Sequence, residues 1–146
     1  MDQNMTSDNL DNLVRVGRLK KESVTQSEFD SLVMSARKRL DDAKMPANSY
    51  HSRFVLAYGA AHSLSLAALH WHGYRSGNRY IVFQVLPHTL GLDASVWRVL
   101  AKAHNHRNVA EYEGHLEEDE QLLADMIAST EKVYESVVAL GAVPKN

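Results

Sequence analysis

The feature that most constrains the fold is a long uncharged stretch, residues 54–74, in which no Asp, Glu, Lys or Arg occurs. Apolar residues recur at helical spacing around almost its whole circumference, which predicts a helix over about residues 50–72 with Ser49 as its N-cap. A helix that is apolar almost all round is buried on more than one face. This helix therefore belongs at the centre of a helical bundle or at a subunit interface.

The same stretch is long enough to cross a bilayer, which needs about 20 apolar residues. It contains His62, His70 and His72 together with two serines, and polar side chains are costly in hydrocarbon, so we expect no membrane span. The first residues of the chain are polar and acidic, unlike a secretory signal. Because there are also no cysteines, we expect a cytoplasmic protein without disulfides.

Two helices are predicted before the central one. The first covers about residues 7–19 and is followed by a charged connection over residues 20–23. The second begins at Gln26, because Thr25 and Glu28 form a capping box. Its apolar stripe repeats at helical spacing, which predicts that one face of this helix packs on the core.

Three helices are predicted after the central one. Residues 80–86 are rich in β-branched and aromatic side chains, but they have no convincing partner strand, so we predict a helix there. Asp93 is the predicted cap of a fifth helix over about residues 94–113. A sixth helix follows over about residues 118–140, where Gly141 ends it.

The length of the chain suits one domain. Its 146 residues bury enough surface for a hydrophobic core. We predict an all-α fold, an antiparallel bundle of about five to six helices. It forms a single domain over residues 1–146, with residues 1–23 as a peripheral helix and linker. The net charge of −2 gives no general attraction to nucleic acid, so such contact needs a local basic patch.

Two basic clusters are candidates for that patch. One covers residues 37–39, and the other combines Arg15, Arg18, Lys20 and Lys21. Both could touch phosphates, although such clusters are more often plain solvated faces.

The predicted fifth helix carries a polar cluster on its inward stripe. Arg107 shares that stripe with apolar residues, Glu111 follows one turn later, and His104 lies nearly one turn earlier. The simplest interpretation is an internal ion pair between Arg107 and Glu111. Because a buried ion pair is often neutral for stability, a polar seam between subunits and an anion site at the guanidinium are the alternatives. A nearby histidine, His104 or His106, could act as base or acid on a ribose or phosphate.

The segment Arg107-Asn-Val-Ala-Glu-Tyr112 resembles the motif helix of the HEPN domain, a family of small helical bundles. Asn48-Ser49-Tyr50 before an alanine-rich helix, and Gly73-Tyr74 after it, resemble the family's second core helix. The similarity covers about residues 24–140, which is most of the chain.

The resemblance implies a homodimer that brings two motif helices together across a cleft. Many members are metal-independent ribonucleases of toxin–antitoxin, phage-defence or CRISPR-linked systems. Some members pair with a small nucleotidyltransferase, and others are non-catalytic binding modules. Active members carry Arg-x4–6-His with a polar residue directly after the arginine.

The match to that active pattern is partial. Arg107 and Asn108 correspond to the arginine and its polar neighbour, but Tyr112 stands where a histidine is expected. His115 lies beyond the window of the pattern. A tyrosine hydroxyl is a poor base near neutral pH, although it can donate a hydrogen bond to a phosphate.

Two functional hypotheses follow. The first is an RNA-binding or RNA-cleaving protein of toxin–antitoxin or defence type, acting at a dimer cleft. Its candidate catalytic residues are Arg107, Asn108, Tyr112 and His104, and its candidate binding residues are Glu111, His106 and Tyr50. The second hypothesis is a catalytically silent module in which the Arg107–Glu111 pair is structural and a groove binds a nucleotide or a partner protein.

A second copy of the chain, RNA, and a nucleotidyltransferase or antitoxin protein are the candidate partners. No cofactor is expected. We also expect no metal, because the chain lacks the Glu-x-x-His pairs of di-metal bundles.

Overall fold

Seven helices make up most of the chain in a computed structural model, which describes residues 3–145, with side chains from residue 8 onward. The helices are α1 (Gln3–Arg15), α2 (Gln26–Ala43), α3 (Tyr50–Trp71), α4 (Arg79–Gln84), α5 (Leu86–Thr89), α6 (Ala94–Glu113) and α7 (Glu120–Ala139). The two short strands are β1 (Lys20–Lys21) and β2 (Tyr74–Arg75). The predicted all-α fold is confirmed. In the described residues, no helix is both long and apolar enough to cross a membrane.

α2 and α3, which pack closely against each other, each begin directly after a predicted capping residue. Thr25 Oγ1 accepts a hydrogen bond from the Glu28 amide at 3.1 Å, and Ser49 Oγ accepts one from the Ser52 amide at 3.1 Å. The Glu28 carboxylate instead pairs with Arg75, 2.9 Å away. Asp93 is the N-cap residue of α6, as predicted, but its side chain makes no capping hydrogen bond.

Side-chain contacts fix the directions of the long helices. Arg39 of α2 contacts Ser63 of α3, while Arg53 near the start of α3 contacts the carbonyl of Ala43 at the end of α2. These two helices are therefore antiparallel, as predicted for neighbours in the chain.

α3 and α7, by contrast, run parallel. Near their first turns, Tyr50 Oη donates to the Asp119 carbonyl at 3.2 Å. Beyond their last turns, Trp71 Nε1 donates to the Gly141 carbonyl at 3.3 Å. α3 and α7 therefore occupy diagonally opposite positions in an up-and-down bundle, where helices on a diagonal are parallel. One side of α3 faces α2 and another faces α6.

The core has two parts. The larger part is built around α3, of which thirteen residues are buried, so the prediction of a central helix is confirmed. The smaller part lies between α1, the end of α3 and α4. Its buried members are Leu10, Leu19, Leu69, Tyr74, Ile81, Val82 and Val85.

The first helix ends earlier than predicted. α1 stops at Arg15, and Gly17 turns the chain with φ +79°, a conformation that glycine adopts without strain. The residues predicted as a charged connection then form β1, in which Lys20 faces Arg75 and Lys21 faces Tyr74 of antiparallel β2. Each strand has only two residues, too few to leave a period-2 pattern in the sequence.

The helix predicted over residues 80–86 is confirmed as helical but is divided in two. Asn78 Oδ1 accepts from the Ile81 amide at 3.1 Å and caps α4. Pro87 stands in the first turn of α5, where its missing amide hydrogen is tolerated. Because proline cannot donate the hydrogen bond that would continue α4, the break falls at Val85.

Candidate functional site

α6 leaves the hydrophobic core halfway along its length. Val96, Leu100 and Ala103 are buried, as their inward stripe predicts. One turn further on, the side chain of Arg107 is 33% exposed, and Gly114 at the end of the stripe is exposed. The arginine therefore interrupts the apolar stripe at the point where the helix emerges from the core.

The predicted ion pair forms, but it is not internal. Arg107 Nη2 lies 2.9 Å from Glu111 Oε1, and the glutamate side chain is 61% exposed. Exposed i, i+4 ion pairs contribute about 0.3–0.5 kcal/mol to stability. A contribution of that size is too small to explain Arg107 as a residue that stabilises the packing of two helices.

Arg107 lines a cleft of about 610 Å³ between α3 and the second half of α6, which we call the Arg107 cleft. The wall from α3 includes His51, Val55 and Gly59, and Arg79 at the start of α4 closes one side. Its other wall is formed by α6 and the loop after it, with Arg107, Glu111 and His115.

A buried tyrosine holds both arginines of the cleft. Tyr58 is 3% exposed, and the guanidinium carbons of Arg107 and Arg79 lie 5.2 and 5.7 Å from the centre of its ring. These distances are in the range of cation–π attraction. The ring thereby holds two cations beside the cleft, whereas Glu111 is the one carboxylate among the described residues that line it.

His104 lies beside this tyrosine and is hydrogen-bonded at both ring nitrogens. Its Nδ1 is 2.8 Å from Tyr58 Oη, and Asn108 Nδ2 is 3.1 Å from its Nε2. With the amide nitrogen as donor, Nε2 accepts and Nδ1–H donates to the tyrosine. Burial, aided by the positive charge of Arg107, lowers the pKa of His104. The imidazole is therefore a neutral, fixed group next to the Arg107 cleft.

Two of the predicted binding residues have structural contacts. Tyr50 is 8% exposed and donates to the Asp119 carbonyl, and its burial raises the pKa of its hydroxyl. His106 Nε2 lies 2.9 Å from the Glu117 carbonyl, and its ring packs on Phe54 with 5.4 Å between centres. Tyr50 thus joins α3 to the start of α7, and His106 holds the loop between α6 and α7.

The predicted set is therefore only partly brought together. Arg107 and Glu111 line the cleft, while His104 is hydrogen-bonded to Tyr58 and the exposed Asn108 is hydrogen-bonded to His104. Tyr112 is 94% exposed and does not join them within one chain.

The residues missed by sequence reasoning come from α3 and α4, far from the motif in the chain. They are His51, Tyr58 and Arg79. The sequence signal for the α3 residues is their spacing, because His51, Val55 and Gly59 are four residues apart and share one stripe of the helix. In the structure all three are at least partly exposed, although most of this helix is buried. Arg79 leaves no signal, because only the tertiary packing of α4 brings it to Tyr58.

The chain matches no protein-family model, no characterised protein and no solved structure. Among the described residues, no group of three or more His, Asp or Glu side chains is placed to hold a metal ion.

Proposed function

We propose that this protein binds RNA in the Arg107 cleft and cleaves it without a metal ion. The observation that carries the proposal is the pair of guanidiniums, Arg107 and Arg79, on one buried tyrosine ring at the wall of an open cleft. Planar guanidiniums suit bidentate contact with phosphate, and phosphate contacts supply most of the affinity of proteins for nucleic acid. The apolar side chains of Val55 and Leu116 in the same cleft offer surfaces for a base or ribose.

The chemistry needs a base for the ribose 2′-hydroxyl and an acid for the leaving 5′-oxygen. The 2′-oxygen attacks the adjacent phosphorus, the bond to the 5′-oxygen breaks, and the products carry a cyclic phosphate and a 5′-hydroxyl. His51 and His115 enter the cleft from its two walls and are candidates for the two proton transfers. Arg107 would stabilise the negative charge that develops on the phosphate.

The second candidate function is a catalytically silent binding module. It is favoured by the state of the motif helix, where both ring nitrogens of His104 are occupied and an exposed tyrosine, Tyr112, stands at the histidine position. In that case the cleft binds a nucleotide or a partner protein and the RNA remains intact.

The biological setting belongs to the same proposal and rests on the resemblance to HEPN domains. It comprises a toxin–antitoxin or defence role, a cytoplasmic location, a homodimer, and a nucleotidyltransferase or antitoxin partner. The outer surface of α6 supports the dimer, because Val109 and Tyr112 are 53% and 94% exposed there. Apolar side chains of this size on a helix that has left the core fit a contact between subunits.

The test is cleavage of mixed RNA by the purified protein in EDTA, beside the Arg107→Ala and His51→Asn variants. We expect the wild type to leave cyclic-phosphate ends and both variants to lose about a hundredfold or more in rate, the lower range for one proton-transfer group or for one group that stabilises developing charge. Intact RNA that still binds in an Arg107-dependent manner would refute cleavage and favour the silent module. Intact RNA without binding would refute RNA as the ligand of the cleft and leave a nucleotide or a partner protein as the ligand of the silent module.

A further inference from the structure

Two more grooves are lined by residues of α3 that lie further along the helix than those of the Arg107 cleft. The middle groove, about 530 Å³, lies between α2 and α3 and includes Arg39, Ser35 and Ser63. The other groove has a volume of about 760 Å³ and includes Arg18 and Lys20. It lies beside the paired strands β1 and β2, which we call the clip, and is named the clip groove. On α3 the lining residues of the three grooves follow one another at helical spacing: His51, Val55, Gly59, Ser63, Leu66 and His70.

Gly59 lies where the Arg107 cleft meets the middle groove. A Cβ built on Gly59 would touch only the side chain of Arg39, at 3.7 Å, which is an ordinary contact. Packing within the chain therefore does not require glycine here, although glycine is unfavourable inside a helix. Gly59 thus places no side chain of its own between the cleft and the neighbouring side chain of Arg39.

His70 and Arg75 line both the middle groove and the clip groove, so these two residues join them. His70 is 6% exposed, and its buried Nδ1 has no hydrogen-bond partner within the described residues. Burial lowers the pKa of His70 to about 4, so its ring is neutral. A neutral imidazole offers one donor and one acceptor, and a buried polar atom without a partner is unfavourable. His70 is therefore a neutral group at the junction of the middle groove and the clip groove.

The charge of the three grooves favours an anionic ligand. Six cationic side chains and three carboxylates line them, in a chain whose net charge is −2. Each carboxylate is already paired, Glu111 with Arg107 and both Glu22 and Glu28 with Arg75. Four cations have no ion pair within the described part of the chain: Arg18, Lys20, Arg39 and Arg79.

We propose that the three grooves form one track for single-stranded RNA, which runs from the Arg107 cleft past Gly59 and Arg39 to His70. This proposal rests on the function proposed above, and it adds the form and length of the RNA. The helix advances 1.5 Å per residue, so the track from His51 to His70 is about 28 Å long. Since a stacked strand advances about 3.4 Å per nucleotide, the track holds at most about eight nucleotides.

The experiment measures the binding of fluorescent 2′-O-methyl RNA, which lacks the attacking hydroxyl and stays intact. Oligonucleotides of about three and about eight nucleotides are compared by anisotropy over a range of salt concentrations. We expect the longer strand to bind at least about tenfold more tightly and with a steeper dependence on salt, because each additional phosphate contact adds about 0.7 to the slope.

Variants separate the track from the cleft. Arg39→Gln should lower the salt slope of the long strand by about 0.7 and leave the short strand unchanged, whereas Arg98→Gln, an exposed arginine outside the grooves, should change neither. Gly59→Gln should weaken the long strand severalfold by filling the passage, with Gly59→Ala as its control.

The results distinguish the two proposals. Arg107-dependent binding that is equal for both lengths and insensitive to Arg39→Gln would overturn the track and leave the cleft function standing. If neither oligonucleotide binds, both the track and the cleft function are overturned.

Discussion

At position 107 an arginine interrupts the apolar stripe of α6 because the helix has already emerged from the core there. Ala103, one turn earlier, is fully buried, and Glu111, one turn later, is exposed. Periodicity alone could predict which side of the helix Arg107 occupies, but not how much protein covers that side. The same limit applies to Gly59: its four-residue spacing from Val55 indicates a shared stripe of α3 but not the groove beside that stripe.

Gly59→Ala should make the protein more stable. Glycine inside a helix is about 0.5–1 kcal/mol less favourable than alanine, and the added Cβ would touch only the flexible side chain of Arg39. We expect the free energy of unfolding in urea to rise by about that amount. Gly73→Ala is the matched control, because Gly73 has φ +88° and alanine is strained there, so it should destabilise. A loss of stability in Gly59→Ala would show that close packing within the chain, rather than access of RNA to the groove, requires this glycine.

At the scale of elements, local capping residues made α2 and α3 predictable, whereas the pair of strands β1 and β2, the clip, could not be predicted. Thr25 and Ser49 make local hydrogen bonds that sequence spacing indicates directly. β1 and β2 instead depend on a pairing between residues more than fifty positions apart. α1 is held against the rest of the protein by the same region, through Leu10 in the smaller core and through Asp11, which accepts from Tyr74 Oη at 2.6 Å.

Leu10→Ala should therefore loosen one element rather than the whole bundle. Leu10 is fully buried in the smaller core, and removing a buried leucine side chain costs about 2–5 kcal/mol. We expect hydrogen exchange to accelerate in α1, α4 and the clip, while the amides of α2, α3 and α7 keep most of their protection. Uniform acceleration across all helices would mean that the two parts of the core unfold as one unit.

For the whole molecule, the buried histidines make stability depend on pH. Burial, with a smaller contribution from Arg75, lowers the pKa of His70 to about 4, against the opposing charges of Glu28 and Glu22. The unfolded chain has a histidine pKa of about 6.5, so between about pH 6.5 and pH 4 the unfolded state binds the proton and the folded state does not. Stability conferred by neutral His70 is therefore present above this window and lost as the pH falls through it.

His70→Gln should remove this dependence. A shift from 6.5 to about 4 corresponds to about 3 kcal/mol. The difference in unfolding free energy between wild type and His70→Gln should thus shrink by about that amount between pH 7 and pH 4. Urea denaturation at several pH values measures it, and His51→Gln, at an exposed position, is the control. Parallel pH profiles for wild type and His70→Gln would contradict the burial of a neutral imidazole.

The all-α class, the central helix and the course of α6 could be predicted from the sequence, since each follows from periodicity and local caps. The Arg107 cleft could be predicted only in part. Its motif residues lie on one helix, but Tyr58 and Arg79 reach Arg107 through tertiary packing, which no local pattern encodes.

The central claim is that Arg107 binds an RNA phosphate, and the most direct measurement is the dissociation constant of an uncleavable RNA for the wild type, Arg107→Ala and Arg98→Ala. We expect Arg107→Ala to weaken binding about tenfold or more at low salt, to flatten the salt dependence, and to change the free energy of unfolding by less than about 1.5 kcal/mol. Arg98→Ala should bind as the wild type does. Unchanged RNA affinity in Arg107→Ala, together with a large loss of stability, would contradict the claim and make the arginine a structural residue.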